Sequence, residues 1–268
     1  MEREQLLELA DASKAGILRD DARHDTHGVV VERGALLLCA GSTQMPLAPN
    51  AAMRLDDRTS ADDALRGARD FFAERRSGFQ LHLRLADRDD DLAARAEEFG
   101  SLAVADSPAM VLERPLSAPD PVHDLRRVVD EQGVRDYAAV VDDAYQSLGM
   151  PPGTLLRFLG GSSLLLSPQR VAFVAYLEGT PAAAAHVIMA AGVGVVSWVG
   201  TTQMARGRGL GEAVTRAATN AGFEMGGQVS WLAASTMGEA IYRRLGFREF
   251  SRSRTVYLWP GLGDGNAP

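Results

Sequence analysis

The sequence has a single cysteine, Cys39, among its 268 residues. One thiol can form no disulfide within the chain and cannot supply the clustered ligands of a cysteine metal site. No run approaches the roughly 18 apolar residues that a membrane-spanning helix needs. The opening residues Met1–Gln5 are charged and do not lead into an apolar signal core. We therefore expect a cytoplasmic protein with no membrane partner.

Positive charge is also scarce. The chain has 28 Lys and Arg residues against 35 Asp and Glu, which gives a formal net charge of −7. Because nucleic-acid binding needs a positive field, this balance argues against nucleic acid as the main partner, and it fits a basic substrate such as an amine. The apolar fraction of 46% and the charged fraction of 24% are those of an ordinary soluble globular protein. The length is ample for two small domains.

Hydrophobic periodicity alternates between the helical and the strand period along the chain. In the first half it predicts helices over 1–19, 60–76 (with Ser60 as N-cap) and 89–99, and strands over 28–40, 79–85, 102–104 and 109–112. In the second half it predicts helices over 134–148, 154–159, 209–223 and 238–245, and strands over 125–129, 170–177, 182–189, 195–201, 229–233 and 255–259. Residues 41–59 contain two prolines and are predicted to be a loop. The pattern is that of an α/β (α+β) protein.

Three prolines fall within the short segment Pro115–Pro121. Proline-rich exposed segments are typical of domain boundaries. We predict a first domain over residues 1–116, a second domain over 117–260 and a disordered tail over 261–268.

Both halves end with a helix, a strand, a helix that stops at glycine, and a last strand followed by proline. Phe99 and Pro115 in the first half are spaced as Leu245 and Pro260 are in the second, to within one residue. This match predicts an internal repeat, and the alternative is a chance similarity between two α/β segments. The copies differ before the long helix, where the first has the glycine-free run Met53–Arg58.

At that place the second half has the segment Arg206–Gly211, Arg-Gly-Arg-Gly-Leu-Gly, between a predicted strand and a predicted helix. The first amides of a helix have no partner within it, and the helix dipole is positive there. Glycines allow close approach and positive φ, and Arg206 and Arg208 add charge suited to diphosphate oxygens. The loop indicates an anion site. The alternative is a tight strand-to-helix turn with solvated arginines.

Two common phosphate-binding motifs fit this loop less well. A P-loop ends in Gly-Lys-Ser/Thr, which is absent here. The dinucleotide fingerprint G-x-G-x-x-G has a different last spacing, since Gly207, Gly209 and Gly211 form G-x-G-x-G, and it usually follows a first strand. A nucleotide-binding α/β domain is kept as a third, weaker alternative.

Residues 199–211 resemble motif A of the GCN5-related N-acetyltransferases (GNATs), whose signature is Gln/Arg-x-x-Gly-x-Gly/Ala. Arg206, Gly209 and Gly211 occupy the defined places of that signature. Gln203 is a departure, because the family often has proline in the middle of this motif.

The later run Ala240–Phe247 is similar to the end of motif B of the same family, with Tyr242 ahead of a Gly-Phe pair. Ser235 stands where the family often has asparagine at the start of that motif. One predicted helix and one predicted strand separate the two motifs, as the family requires. The resemblance covers residues 122–259, and the pair of motifs in this order is what makes it specific.

The resemblance implies that acetyl-CoA lies in a gap between the strand before the loop and the strand after the long helix. Backbone groups of Val199 and Thr201 would pair with the pantetheine amides like an added strand, and an amide of the same strand would polarise the thioester carbonyl. No metal is implied. The implied cofactor-binding residues are Val199, Gly200, Thr201, Arg206, Gly207, Arg208, Gly209, Leu210, Gly211 and Ser235.

In this family an amine attacks the thioester directly, so the protein needs no nucleophile. The resemblance makes Tyr242 the catalytic general acid for the leaving thiolate, and the alternative is an aromatic side chain packed on a helix face. The base is not identified by the sequence. Glu178, His186, Asp142 and Asp143 are candidates, each with a structural alternative: an exposed turn, a packed histidine or a solvated helix face.

The layout resembles two-domain GNAT proteins in which one repeat has lost cofactor binding. The implied fold is two GNAT-like domains, each a mixed, mostly antiparallel sheet flanked by helices, with the N-terminal domain degenerate. The implied function is an acetyl-CoA-dependent N-acetyltransferase acting on a primary amine of a small molecule or peptide, as a monomer or homodimer. Tyr145 and Met150 lie in the region that shapes the acceptor pocket in this family. The alternative function is a non-catalytic acyl-CoA-binding or regulatory protein.

Overall fold

A computed structural model of the chain describes residues 1–118, 124–160 and 163–260. The chain forms two compact units. The first contains Met1–Ala109 together with the residues from Phe250 onwards, and the second contains Met110–Glu249. The tail predicted over 261–268 lies outside the described residues.

The elements of the first half alternate between helices and short strands. They are α1 (Arg3–Arg23), β1 (Val29–Arg33), β2 (Leu36–Ala40), β3 (Ala51–Arg54), α2 (Ala61–Glu74), β4 (Phe79–His82), α3 (Asp90–Glu98) and β5 (Ala103–Leu112).

The second half has longer strands and a long central helix. Its elements are β6 (Asp124–Arg127), α4 (Glu131–Gln146), α5 (Thr154–Gly160), β7 (Arg170–Leu177), β8 (Thr180–Ala190), β9 (Val193–Thr201), α6 (Leu210–Glu224), β10 (Val229–Ala233), α7 (Glu239–Leu245) and β11 (Arg248–Leu258), with short 3-10 turns at Ser163–Leu166 and Gln203–Ala205. No helix among the described residues is both long and apolar enough to cross a membrane.

The mixed α/β class and the helices predicted from periodicity are confirmed. Ser60 caps α2 as expected, because its Oγ accepts from the amide of Asp63 at 3.1 Å. The loop predicted over 41–59 is wrong in part, since all four residues of β3 are buried and pair with β2, and three of them also pair with β4. The two strands predicted over 102–104 and 109–112 are one continuous strand, β5.

In the first unit β1, β2 and β3 pair antiparallel, β3 and β4 pair parallel, and β4 pairs antiparallel with β11. The core packs α2 on this sheet, where the rings of Phe72 and Phe79 stack with centroids 4.5 Å apart. Val256 and Leu258 of β11 belong to the same core. This packing explains why the end of the described chain groups with the first unit.

In the second unit β6, β7, β8 and β9 pair antiparallel in succession, and β9 then pairs parallel with β10. The sheet is therefore mixed and mostly antiparallel, as predicted. Alternate residues of β8 enter two different cores, since Ala184 packs on the α4 side whereas Ala183 and Ala185 pack on the α6 side. Helices α4 and α6 thus cover opposite faces of this sheet.

The compact units and the predicted boundary between residues 116 and 117 divide the chain differently. Met110 and Leu112 at the end of β5 lie in the core of the second unit. The order β1-β2-β3-α2-β4-α3-β5 nevertheless corresponds to β7-β8-β9-α6-β10-α7-β11, and in each series the third and fourth strands pair parallel. An internal repeat, with the first copy degenerate, stays a prediction.

A buried ion cluster follows β3 in the first unit. The Asp89 side chain is fully buried and accepts from Arg54 Nε at 2.8 Å and from the backbone amide of Arg84 at 2.8 Å. Arg54 also donates to Asp91 at 2.9 Å, and Arg84 donates to Asp57 at 2.5 Å. Both guanidinium groups are therefore neutralised within the unit.

Replacing Asp89 by alanine would leave Arg54 and Arg84 buried without their shared carboxylate. Removing one partner of a buried pair costs about 3–5 kcal/mol, and we expect a loss at the lower end because the two outer carboxylates remain. Urea denaturation followed by circular dichroism measures the free energy of unfolding. The matched control is Asp56→Ala, which breaks an exposed pair with Arg58 and should change little. Equal effects of the two variants would contradict a structural role for the cluster.

Candidate functional site

The parallel strands β9 and β10 stay together over a short distance only. Their pairing runs from Val193 opposite Val229 to Val195 opposite Trp231. Beyond this point, over residues 196–201, β9 pairs only with β8 among the described residues. The second edge of β9 therefore offers free backbone groups, and such an edge can accept an extended chain as an added strand.

A β-bulge lies in this open stretch of β9. Trp198 and Val199 face a single residue of β8, Ala185, where the register shifts. Trp198 has φ of 48°, in the left-handed region that bulky residues rarely adopt. Because a bulge bends its strand and increases the local twist, this one accounts for the departure of β9 from β10.

A hydroxyl group on α4 holds the bulge. Tyr137 is fully buried, and its hydroxyl donates to the carbonyl of Trp198 at 3.0 Å. The same oxygen lies 2.9 Å from Nδ1 of His186. Since the hydroxyl has one proton and gives it to the carbonyl, Nδ1 of His186 must carry the hydrogen of the second bond. Burial, assisted by Arg170, keeps the pKa of His186 well below its usual range, so the imidazole is neutral.

The predicted anion loop leads from β9 into α6. Gly207 and Gly209 both have φ of 77°, and nothing lies within 4 Å of the position a Cβ of Gly207 would take. No side chain caps α6, and the backbone amides of residues 209–212 find no hydrogen-bond partner among the described residues. These amides and the positive end of the helix form a site that an anion can enter.

The two arginines of the loop have different surroundings. Arg206 Nη2 donates to Ser147 Oγ at 2.8 Å and to the carbonyl of Ala144 at 3.4 Å, at the end of α4. Its charge therefore stabilises the negative end of that helix in this structure. Arg208 is exposed and makes no hydrogen bond or ion pair with the described residues. Arg208 is the loop arginine whose charge is available to a ligand.

The segments of motif A and motif B meet at the start of α6. A Cβ on Gly211 would lie 2.9 Å from Thr201 Oγ1 and 3.9 Å from Ile241 Cδ1 of α7. A Cβ on Gly200 would lie 2.9 Å from Ala144 Cβ. Glycine at these two places thus lets α6 and α4 approach β9 from its two faces.

Tyr242 of α7 points into the core on the α6 side. Its side chain is 6% exposed and meets the ring of Phe247 edge-on at 6.1 Å. Its hydroxyl has no hydrogen-bond partner among the described residues. Burial raises the pKa of Tyr242 to about 12, so the hydroxyl keeps its proton at neutral pH and has it available to donate. Val199 packs in the same cluster.

Ser235 lies in the turn between β10 and α7. Its Oγ accepts from the amide of Gly238 at 3.2 Å, and its carbonyl accepts from the amide of Glu239 at 3.0 Å. The hydroxyl proton is not used by these contacts and stays available for an oxygen of a ligand.

Two of the candidate bases have a structural role. Asp142 is buried and accepts three backbone amides at the start of α5, including that of Gly153 at 2.8 Å. Asp143 accepts from the amide of Gln203 at 2.9 Å and so ties α4 to the segment before the loop. Glu178 is exposed in the β7–β8 turn with φ of 51°. With His186 engaged by Tyr137, none of the four candidates is arranged as a base beside the open edge of β9.

Aromatic side chains surround the bulge on the α4 side. Trp198 packs against Tyr145 with ring centroids 5.3 Å apart and against Phe158 at 6.2 Å. Met150 packs on the same cluster. Sequence reasoning missed Phe158, because its place beside β9 follows from the packing of α5 on α4. No group of three potential metal ligands occurs in the described part of the chain.

These features define a class of α/β protein. Four antiparallel strands, β6 to β9, lead into the parallel pair of β9 and β10. This pair separates beside the uncapped start of α6. No family model and no curated protein matches the chain. A solved GCN5-related N-acetyltransferase from Kribbella flavida is 23% identical and aligns over 96% of this chain and 97% of its own, with a TM-score of 0.71. One from Sphaerobacter thermophilus is 18% identical over 87% and 76% of the two chains, with a TM-score of 0.57. A tandem GNAT protein from the clavulanic acid biosynthesis pathway is 14% identical over 97% and 95%, with a TM-score of 0.60.

The chain therefore has the fold of the GCN5-related N-acetyltransferases, and the likeness extends over both compact units. The resemblance inferred from motifs A and B is confirmed at the level of the fold. At sequence identities of 14–23%, these structures show a shared fold.

Removing the hydroxyl of Tyr137 would leave the carbonyl of Trp198 and Nδ1 of His186 without partners inside the protein. Unsatisfied buried groups cost about 1–3 kcal/mol, so we expect Tyr137→Phe to lower the free energy of unfolding by that amount. The matched control is Tyr176→Phe, at a half-buried residue whose hydroxyl donates to Asp136 at 2.5 Å, because water can satisfy that carboxylate in its place. Urea denaturation compares the two variants, and a larger loss in the control would contradict the assignment.

Proposed function

We propose that the second unit binds acetyl-CoA and transfers its acetyl group to a primary amine of a small molecule or peptide. The observation that carries this proposal is the coincidence of a free strand edge, over residues 196–201 of β9, with an uncapped helix start at Gly209. The free strand edge suits the amides of pantetheine, and the uncapped helix start suits a pyrophosphate. The GNAT fold supports the same conclusion.

The chain's own groups fit this cosubstrate. The free edge around Val199, Gly200 and Thr201 would pair with an extended pantetheine arm, and the amides around Gly209, Leu210 and Gly211 would receive the pyrophosphate. Left-handed glycines let the backbone come close. Acetyl-CoA supplies an activated thioester to this site, so the protein needs no nucleophile of its own.

Three groups would then act on the reaction. Backbone amides re-aimed by the bulge at Trp198 would polarise the thioester carbonyl, as preorganised donors do in an oxyanion hole. The aromatic side chains of Tyr145 and Phe158 would form one wall for the acceptor amine. Tyr242, protonated and without a hydrogen-bond partner in the described residues, would donate its proton to the leaving thiolate.

The experiment that tests the function is incubation of the full chain with acetyl-CoA and a broad panel of small amines and short peptides. Mass spectrometry detects products that gain an acetyl group. Silence across the panel, when calorimetry has shown that CoA binds, would count strongly against transfer.

We predict that the double change Arg206→Ala with Gly209→Glu abolishes CoA binding, because a side chain at position 209 blocks the amides and adds negative charge. Arg208→Ala should weaken CoA binding by about tenfold, the value of one charge-assisted hydrogen bond. Arg244→Ala removes an exposed arginine of the same unit and is the matched control. Calorimetry gives the affinities, and normal CoA binding by the double variant would place the pyrophosphate elsewhere.

We predict that Tyr242→Phe lowers kcat by about 100-fold, in the range of general acid catalysis, and leaves CoA affinity within about twofold. The affinity is preserved because the ring still packs against Phe247. Tyr257→Phe, at a half-buried tyrosine of the chain, is the control. Equal turnover in the variant and the parent protein would remove Tyr242 from the mechanism.

A second candidate function is a non-catalytic acyl-CoA-binding or regulatory protein. The observation in its favour is that Asp142, Asp143 and His186 are all engaged by neighbouring groups, so none of these three candidate bases is free beside β9. Calorimetric binding of CoA without transfer to any amine would favour this function. Binding of ATP or NAD in preference to CoA would instead favour a nucleotide-binding domain.

A further inference from the structure

A groove of about 820 Å³ runs along α2 in the first unit. Its walls are α2, the end of α3 and the residues that follow β11. The volume lies within the range of small-molecule sites. The groove belongs to the unit that has no glycine loop, so the proposed transfer reaction does not use it.

Two arginines in the groove have no carboxylate partner. Arg69 lies on α2 and Arg76 follows the end of that helix, and neither guanidinium group makes a hydrogen bond or ion pair with the described residues. The other two arginines of the lining are engaged, Arg66 by Asp63 at 3.1 Å and Arg95 at 2.7 Å by the α2 residue Asp62. The lining also contains the exposed carboxylate of Asp70, so the excess of positive charge is that of four arginines over Asp62 and Asp70.

A buried hydroxyl in the same lining is also unpartnered. Ser77 is 4% exposed, and its Oγ has no hydrogen-bond partner among the described residues. Leaving a buried polar group unpaired costs stability, so such a group calls for an explanation. Ser77 directly follows Arg76 and belongs to the groove lining, so a rotation of its side chain would turn the hydroxyl toward a ligand held by that arginine.

Aromatic rings supply the apolar part of the groove. Phe99 is 43% exposed, and the guanidinium carbon of Arg69 lies 4.7 Å from the centre of its ring. Trp259 packs over the backbone of Gly78, where a Cβ would lie 2.7 Å from the indole. Glycine at position 78 is thus what allows the indole to form a wall of the groove.

We propose that this groove binds a small anion with a planar ring, such as an aromatic phosphate or carboxylate. Arg69 and Arg76 would pair with the anionic group, Ser77 would donate to it, and Phe99 and Trp259 would hold the ring. Charge-assisted bonds to arginine combined with ring stacking give both affinity and orientation.

The test uses phenyl phosphate and the full chain labelled with ¹⁵N. We expect saturable shifts at the amide of Ser77 and the indole N–H of Trp259, with a dissociation constant of about 1 mM or below for a ligand of this size. Inorganic phosphate lacks the ring and phenol lacks the anionic group, so each should bind at least about tenfold more weakly than phenyl phosphate. Shifts confined to residues 206–212 would place the ligand at the other unit's loop and would overturn the proposal.

Variants distinguish binding in the groove from non-specific attraction of an anion to positive charge. Arg69→Gln with Arg76→Gln should weaken phenyl phosphate at least tenfold, whereas Arg23→Gln, an exposed arginine of α1, should not. Ser77→Ala should weaken binding about threefold or more while leaving the melting temperature unchanged or higher, because it removes an unpaired buried group. Unchanged affinity in the double arginine variant, or equal affinity for inorganic phosphate, would refute the site.

Discussion

The geometry of the second unit depends on one constraint, the end of pairing between β9 and β10 after three residues. Two parallel strands that stay paired leave no room between them, and a strand pair that parts exposes an edge that can bind a peptide-like chain. The bulge at Trp198 produces the divergence on the β9 side. Gly200 allows it, because a side chain there would collide with α4. The loop and the start of α6 follow directly from the direction in which β9 leaves the sheet.

The bulge is strained, and buried polar contacts hold it in place. A bulky residue in the left-handed region costs on the order of 1–2 kcal/mol, and the hydrogen bond from Tyr137 to the Trp198 carbonyl offsets part of this cost. His186 fixes the hydroxyl in turn, and its neutral state leaves no buried charge in the network. His186 therefore positions the Tyr137 hydroxyl. This role explains why a histidine lies in the middle of β8, and it does not require His186 to act as the general base.

Much of this arrangement could be predicted from the sequence, because it depends on local patterns. Periodicity located the helices, and the run from Arg206 to Gly211 indicated an uncapped helix start. Contacts between distant segments were not predictable. Strand β3 was missed because Ala-Ala-Met-Arg lacks β-branched residues, and only pairing on both sides makes it a strand. The bulge leaves no trace in the alternation of β9. The contact of Arg206 with Ser147 depends on the packing of α4, which the motif does not encode.

The corresponding helix starts, those of α2 and α6, differ in capping and in charge between the two units. In the first, Ser60 caps α2 and Asp63 places a carboxylate in the first turn, while the charge of Arg54 before it is neutralised internally. One amide of that helix start is capped and acidic side chains lie in its first turn, so it disfavours an external anion. In the second, Gly209 leaves α6 uncapped and Arg208 has no partner among the described residues. If one ancestral unit was duplicated, anion binding at this place was lost in the first copy through acquired caps and carboxylates. The reason for assigning the cofactor to the second unit is therefore the chemistry of its helix start, since both units have the parallel strand pair.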